Sequence, residues 1–136
     1  MRKMGIDFGT KKVGIALSDE AGKMAFPHSV IPNNDALLKT IATLIEKEGV
    51  EEIVMGHSLD SDGKENAVHQ HAVDFVTDLT LETPIPVHFE PEQFSTQQAI
   101  KIQGRNEQAD ASAAAIILES YLNKQSNVSV FDELDN

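Results

Sequence analysis

The sequence predicts an α/β domain in which a mixed five-stranded sheet is flanked by helices. Three short apolar segments follow one another at the start of the chain, separated by turn residues, which is typical of antiparallel strands. After residue 34, stripes with helical spacing alternate with compact apolar segments, which is typical of βαβ units with right-handed crossovers. The expected order of elements is therefore β-β-β-α-β-α-β-α-α.

The first three strands are expected to form two antiparallel hairpins. Residues 3–8 and 13–18 are apolar, and the intervening "GTKK" begins with a glycine, which permits a tight turn. A third strand is expected over residues 24–30, ahead of a Pro-Asn-Asn turn.

The later elements alternate between helix and strand. Asn34 or Asp35 is expected to cap the first helix, which ends before Gly49. The strand "EEIVMGH" follows, and then a helix over residues 67–79. A strand with prolines near both of its ends is predicted over residues 85–89. Two helices are predicted after it, over residues 95–102 and 110–122.

Length and composition indicate one domain over residues 1–124, followed by an acidic tail over 125–136 that we expect to be flexible. The absence of cysteine excludes disulfides and thiolate metal sites. No apolar run reaches the length of a membrane span, and no signal peptide is recognisable. We therefore expect a cytoplasmic protein with no membrane partner.

The net charge of −11 argues against a long electrostatic track for nucleic acid, because such binding neutralises phosphates with Lys and Arg. The charge is unevenly distributed, however. Residues 1–23 contain five basic and three acidic side chains, whereas the rest of the chain is strongly acidic. A small basic footprint near the N-terminus therefore remains available.

Three carboxylates stand near the ends of different predicted elements. Asp7 interrupts the first apolar strand, Glu92 follows the last strand, and Asp110 opens the apolar stripe of the last helix. Such a set suits Mg²⁺ or Mn²⁺, which prefer oxygen ligands and keep waters for substrate phosphates. Structural roles are also open for each acid: a turn contact, an exposed side chain and a helix cap. Glu90 is barely distinguishable from Glu92 by sequence.

Four blocks, in order along the chain, resemble the bacterial YqgF family, which is associated with pre-16S rRNA cleavage and Holliday-junction resolution. They are "GIDFGTKKVGIALSD", "IVMGHSLDSDGKE", "VHFEPEQFSTQQA" and "DASAAAIILESYL". The resemblance covers residues 4 to about 122. It implies a ribonuclease H-like fold and a metal-dependent nuclease, most readily one that processes the 5′ end of 16S rRNA.

The resemblance also implies roles for particular residues. Asp7, Glu92 and Asp110 would be the catalytic residues and would bind Mg²⁺ or Mn²⁺. The residues expected to contact substrate are Gly9, Thr10, Lys11, Lys12, Ser95, Thr96 and Arg105. The expected partner is nucleic acid, with RNA favoured over DNA, and the protein is expected to be a monomer or a homodimer.

Departures from the family pattern, which include a less basic stretch "KIQGRNEQA" before the last helix, leave alternatives open. Gln93 stands where the family usually has an arginine, and His57-Ser58 replaces an apolar-proline pair. One alternative is a nucleic-acid-binding or interaction module that has weakened catalysis, and a more remote one is a resolvase of branched DNA. The "DFGT" stretch also resembles the phosphate turn of sugar kinases, actin and Hsp70, but 136 residues cannot supply their two lobes.

Overall fold

The computed structural model describes residues 1–57, 67–91 and 111–124, which form five strands and three helices. The elements are β1 (Arg2–Phe8), β2 (Lys12–Ser18), β3 (Ala25–Pro32), α1 (Leu37–Glu48), β4 (Val50–His57), α2 (Ala67–Glu82), β5 (Val87–Pro91) and α3 (111–124). The predicted helix over 95–102 and the predicted tail over 125–136 lie outside the described residues. None of the three helices combines the length and hydropathy required to cross a bilayer.

The strands form one sheet with the order β3-β2-β1-β4-β5. β2 is antiparallel to both β1 and β3, whereas β1, β4 and β5 are mutually parallel. This arrangement confirms the predicted mixed five-stranded sheet. Because β1, β4 and β5 run the same way, their last residues share one edge, which we call the carboxyl edge.

One face of the sheet, the α1–α2 face, is packed with large aliphatic and aromatic side chains. Alternate residues of β1 point to this face, and they are Met4, Ile6 and Phe8. They meet buried side chains of α1 and α2 that include Leu37, Ile41, Ile45, Ala72 and Leu79. This face contains most of the apolar core that the described residues form.

The opposite face, the α3 face, has small residues where α3 crosses the middle of the sheet. A cluster centred on Ala16, Val54, Ala114 and Leu118 joins α3 to the middle of the sheet. Gly5 permits this close contact: a Cβ at Gly5 would lie 2.7 Å from the Ala114 carbonyl oxygen and 2.9 Å from the Leu118 Cβ. The backbone of α3 therefore lies directly on β1.

Several predicted boundaries differ from the structure: β3 ends at Pro32 rather than at residue 30, α2 ends at Glu82 rather than at residue 79, and the start of α1 is also shifted. The N-cap of α1 is Ala36, which has no side-chain capping bond. Asn34, two residues before this N-cap, instead accepts a hydrogen bond on Oδ1 from the N–H of Ala36 itself (2.9 Å). The predicted stop is confirmed, because Gly49 adopts a left-handed φ of 66°.

The last strand begins two residues later than predicted. The Ile85 N–H donates to the Thr83 carbonyl (2.8 Å), so Ile85 belongs to the turn after α2. Pro86 has no N–H to contribute to a strand pair, although its carbonyl accepts a bond from the Ile53 N–H (2.9 Å). β5 consequently pairs with β4 from Val87 onward.

Candidate nuclease site

Asp7 is the penultimate residue of β1 and lies at the carboxyl edge. Alternation along the strand puts it on the same face as Gly5, which is the α3 face. Its partner across the β1–β2 ladder is Gly14, which carries no side chain. The half-buried Asp7 side chain therefore has no bulky neighbour on β2, and it lies at the end of a strand held in the centre of the sheet.

The contacts of α3 show which of its ends lies towards Asp7. Ala114 and Leu118 lie against Gly5, whereas the ring of Tyr121, further along the helix, is 5.2 Å from the Lys3 Nζ. Because later residues of α3 contact earlier residues of β1, the first turn of the helix lies towards Asp7. A helix start carries partial positive charge, which favours carboxylates and phosphates nearby.

The "GTKK" turn joins β1 to β2 at the carboxyl edge. The Gly9 N–H donates to the Lys12 carbonyl (3.0 Å), and a Cβ at Gly9 would lie 2.6 Å from that same oxygen. Only glycine fits this turn without a shift of the backbone. Thr10, Lys11 and Lys12 are exposed, and neither lysine forms an ion pair within the described part of the chain.

Asn33 is a residue at this edge that the sequence prediction missed. Its side-chain Nδ2 donates to the Gly9 carbonyl (2.8 Å), and its backbone N–H donates to the Lys11 carbonyl (2.9 Å). The sequence showed Asn33 only as part of a turn after Pro32. A long-range bond between a loop asparagine and a backbone carbonyl has no local signal in the sequence.

Glu90, the alternative to Glu92, is buried and bonded to side chains of α3, as is typical of a structural carboxylate. It is 4% exposed, and its Oε1 accepts hydrogen bonds from the Ser120 hydroxyl (3.0 Å) and the Lys124 ammonium group (2.6 Å). A buried carboxylate with a charged partner and a hydroxyl donor is satisfied where it stands. Glu90 therefore attaches the last turns of α3 to β5.

Glu52 has a similar environment near the start of β4. Its Oε1 accepts a bond from the Tyr121 hydroxyl (2.7 Å) and lies 3.3 Å from the His88 Nε2 and 3.8 Å from the Lys3 Nζ. His88 also stacks on the Tyr121 ring, with 5.2 Å between the ring centroids. This polar cluster holds Tyr121 of α3 above the first residues of β1 and β4, which are at the end of those strands opposite to Asp7.

Five of the predicted site residues can be located, and they all lie at the carboxyl edge: Asp7, Gly9, Thr10, Lys11 and Lys12. The other five, Glu92, Ser95, Thr96, Arg105 and Asp110, lie outside the described residues. Within the described segments, no three side chains of the His, Asp or Glu type converge as metal ligands. In the sequence, Glu92 directly follows β5 and Asp110 directly precedes α3.

Comparisons with known proteins agree over almost the whole chain. The model of the RuvX family, described as a Holliday junction resolvase, matches residues 1–124. A protein of Maridesulfovibrio salexigens named "Putative pre-16S rRNA nuclease" is 34% identical over 132 residues, which cover 90% of this chain and 98% of its own. A protein with the same name from Halothermothrix orenii is 34% identical and covers 94% of this chain and 99% of its own.

Solved structures show the same fold at low identity. RuvC of Thermus thermophilus, in complex with a Holliday junction substrate, superposes with a TM-score of 0.64 at 15% identity and covers 93% of this chain and 96% of its own. The fowlpox virus Holliday junction resolvase superposes with a TM-score of 0.61 at 9% identity, covering 91% and 99%. The predicted ribonuclease H-like fold class is therefore confirmed.

Proposed function

The chain belongs to the RuvX family of Holliday junction resolvases, and we propose that it is a metal-dependent nuclease that processes the 5′ end of 16S rRNA. The name shared by the relatives that are about one-third identical favours RNA over branched DNA as the substrate. The structural observation that carries the proposal is the position of Asp7. It lies on the α3 face of the central strand, with the first turn of α3 towards it and two exposed lysines just beyond it.

In this proposal Asp7, Glu92 and Asp110 hold Mg²⁺ or Mn²⁺. The donor chemistry fits, because these ions prefer carboxylate oxygens and the chain has no cysteine to favour a softer metal. Bound there, a divalent ion would activate a water and stabilise the leaving oxygen of the phosphodiester. Asp7, at the end of a central strand that is hydrogen-bonded on both sides, would provide the most firmly held ligand.

The proposed contacts with the substrate are confined to the phosphates close to the scissile bond. Gly9, Thr10, Lys11 and Lys12 would bind the phosphates beside the scissile bond, with Ser95, Thr96 and Arg105 as further proposed contacts. The exposed and unpaired ammonium groups of Lys11 and Lys12 support this, because they need not break an ion pair within the described segments. A net charge of −11 makes binding depend on these few cations.

The central experiment compares Asp7→Asn with Asp78→Asn in Mn²⁺. Asp78 is an exposed aspartate of α2, so its replacement makes the same chemical change away from the proposed site. We expect Asp7→Asn to reduce cleavage of an RNA carrying the 16S 5′ leader to background and to weaken Mn²⁺ binding measured by calorimetry. Asp78→Asn should match the wild type. Full cleavage by Asp7→Asn would refute the proposed site.

A second experiment tests whether Lys11 and Lys12 bind phosphates of the RNA. The double variant Lys11→Ala/Lys12→Ala should weaken RNA binding and reduce the magnitude of the slope of log K against log salt by about 1.4 to 1.8, because about two phosphate contacts are lost. Lys39→Ala/Lys47→Ala removes the same charge from exposed positions of α1 and serves as the control. Equal slopes for the two double variants would contradict a phosphate-binding turn.

The same assays separate the alternatives. If the wild type binds RNA but neither cleaves it nor binds Mn²⁺ at millimolar concentrations, the protein is a binding module, which its acidic charge and Gln93 favour. If it cleaves a four-way DNA junction and leaves the RNA intact, it is a resolvase. Processing of rRNA would occur in the cytoplasm, and the site we propose is compatible with a monomer or a homodimer.

A further inference from the structure

We propose that Asn33 is a positioning residue, which holds the backbone of the "GTKK" turn so that Lys11 and Lys12 are presented to the substrate in one arrangement. This inference rests on the proposed function, in which that turn binds phosphate. Asn33 does not itself contact substrate in this proposal, because it acts through the carbonyl groups of the turn.

The geometry is that of a two-point clamp. The Asn33 Nδ2 donates to the Gly9 carbonyl at 2.8 Å, and the Asn33 backbone N–H donates to the Lys11 carbonyl at 2.9 Å. The two accepting carbonyls lie on either side of Thr10. Together with the bond from the Gly9 N–H to the Lys12 carbonyl (3.0 Å), these contacts fix the backbone at three points. Within the described segments, no other side chain bonds to this turn.

The chain needs such a clamp because the β2–β3 ladder ends there. Lys12 is paired with Pro32, whose ring nitrogen has no hydrogen to donate. Asn33, the next residue, provides two donors at the point where the proline provides none. Asn33 is half-buried, whereas Thr10, Lys11 and Lys12 of the turn are exposed. The clamp therefore ties an exposed turn to the end of β3, the edge strand of the sheet.

The functional consequence is pre-organisation. A free turn would populate many backbone conformations, and binding the phosphate would then have to order it, which weakens affinity. A clamped turn has already lost that entropy on folding. The clamp should therefore affect substrate binding much more than the chemical step, because the bonds that Asn33 makes within the described residues go to the carbonyl groups of the turn.

The test compares Asn33→Ala with Asn34→Ala. Asn34 is the exposed neighbour, and its side chain bonds to the Ala36 N–H rather than to the turn. For cleavage of the leader RNA, we expect Asn33→Ala to raise KM about fivefold, the effect of one lost hydrogen bond. Its kcat should stay within about twofold and its Mn²⁺ affinity should be unchanged, and Asn34→Ala should leave all three at wild-type values.

Amide hydrogen exchange supplies a readout that does not depend on cleavage. Exchange in the peptide covering residues 9–13 should be about tenfold faster in Asn33→Ala and unchanged in Asn34→Ala. An unchanged KM and an unchanged exchange rate would each overturn the proposal. A parallel fall in kcat and Mn²⁺ affinity would also overturn it, because Asn33 would then support the fold in general.

The failure of the proposed function would look different. If the wild type cleaves no RNA, the nuclease proposal fails, and binding of an RNA hairpin measured by fluorescence anisotropy then replaces KM. In that case faster exchange combined with weaker hairpin binding in Asn33→Ala still supports the clamp. Faster exchange with unchanged hairpin binding would show that the turn does not bind phosphate.

Discussion

The two faces of the sheet are packed in opposite ways. The α1–α2 face is filled by long side chains such as Met4, Ile6 and Ile53, which separate the helices from the strands. The α3 face has glycine and alanine at the equivalent depth, and α3 rests almost on the backbone of β1. The packing of the α1–α2 face buries a large apolar area, whereas the packing of the α3 face brings the backbones of α3 and β1 close together.

This difference indicates a division of roles. The α1–α2 face contains most of the buried apolar side chains among the described residues, and Asp7 points away from it. The packing of the α3 face determines how close the first turn of α3 comes to Asp7. Even one added methyl group on this face should therefore displace the helix. The comparison can be tested by removing volume from one face and adding it to the other.

The largest expected effect on stability comes from removing volume. Ile53 is fully buried on the α1–α2 face, and Ile53→Ala should lower the free energy of unfolding by about 4 kcal/mol because it leaves a cavity. Urea denaturation measures this loss. Where the variant is still folded, its Mn²⁺ affinity should equal that of the wild type. A large loss of metal affinity would mean that the two faces do not have separate roles.

Adding one methyl group to the α3 face should have a smaller effect on stability and a larger one on the site. Gly5→Ala would put a Cβ within 3 Å of α3, so the helix must move, at a cost of about 2 kcal/mol. Its Mn²⁺ affinity should fall, as measured by calorimetry on the folded protein. An unchanged Mn²⁺ affinity would indicate that the position of α3 does not determine the geometry of the proposed metal site.

Gly49→Ala is the matched control for that variant. A Cβ at Gly49 would meet nothing within 4 Å, but its φ of 66° is unfavourable for alanine. Strain of the backbone alone should cost about 1 kcal/mol. Metal affinity should not change, because the strain is confined to the end of α1. The two glycines thus separate steric displacement of α3 from a general loss of stability.

The smallest expected effect comes from the polar cluster beneath the last half of α3. Tyr121→Phe removes the hydroxyl that donates to Glu52, while Lys3 and His88 remain beside that carboxylate. The expected loss is about 1 kcal/mol in urea denaturation. A loss several times larger would indicate that this cluster, rather than the small-residue contact, holds α3 on the sheet.

The elements that the sequence predicted well are those with a strong local period. The apolar stripe of the last helix predicted its buried side, and Ala114, Ile117, Leu118 and Tyr121 on that side are all buried against the sheet. The end of α1 at Gly49 was also correct, because a glycine at that point satisfies a local geometric need. Periodicity and local geometry are both contained in short stretches of sequence.

The predictions that were wrong or missing depend on partners that are distant in the chain. The expected cap of α1 and the start of β5 were misplaced by one or two residues, where local preference competes with strand pairing. Asn33 was not recognised, because its bond to Gly9 spans 24 residues. The environment of Glu90 was likewise undetermined, since it depends on two residues of α3.

The fold class, the family and the basic turn could be predicted from the amino-acid sequence, because apolar periodicity, glycine positions and four motif blocks are local properties. The three-dimensional packing was needed to show which helix lies on the Asp7 face of β1, which end of α3 lies towards Asp7, and which carboxylates already have hydrogen-bond partners. Those facts follow from the sheet order and from the close packing that Gly5 allows. Both arise from contacts between residues far apart in the chain, which no local pattern specifies.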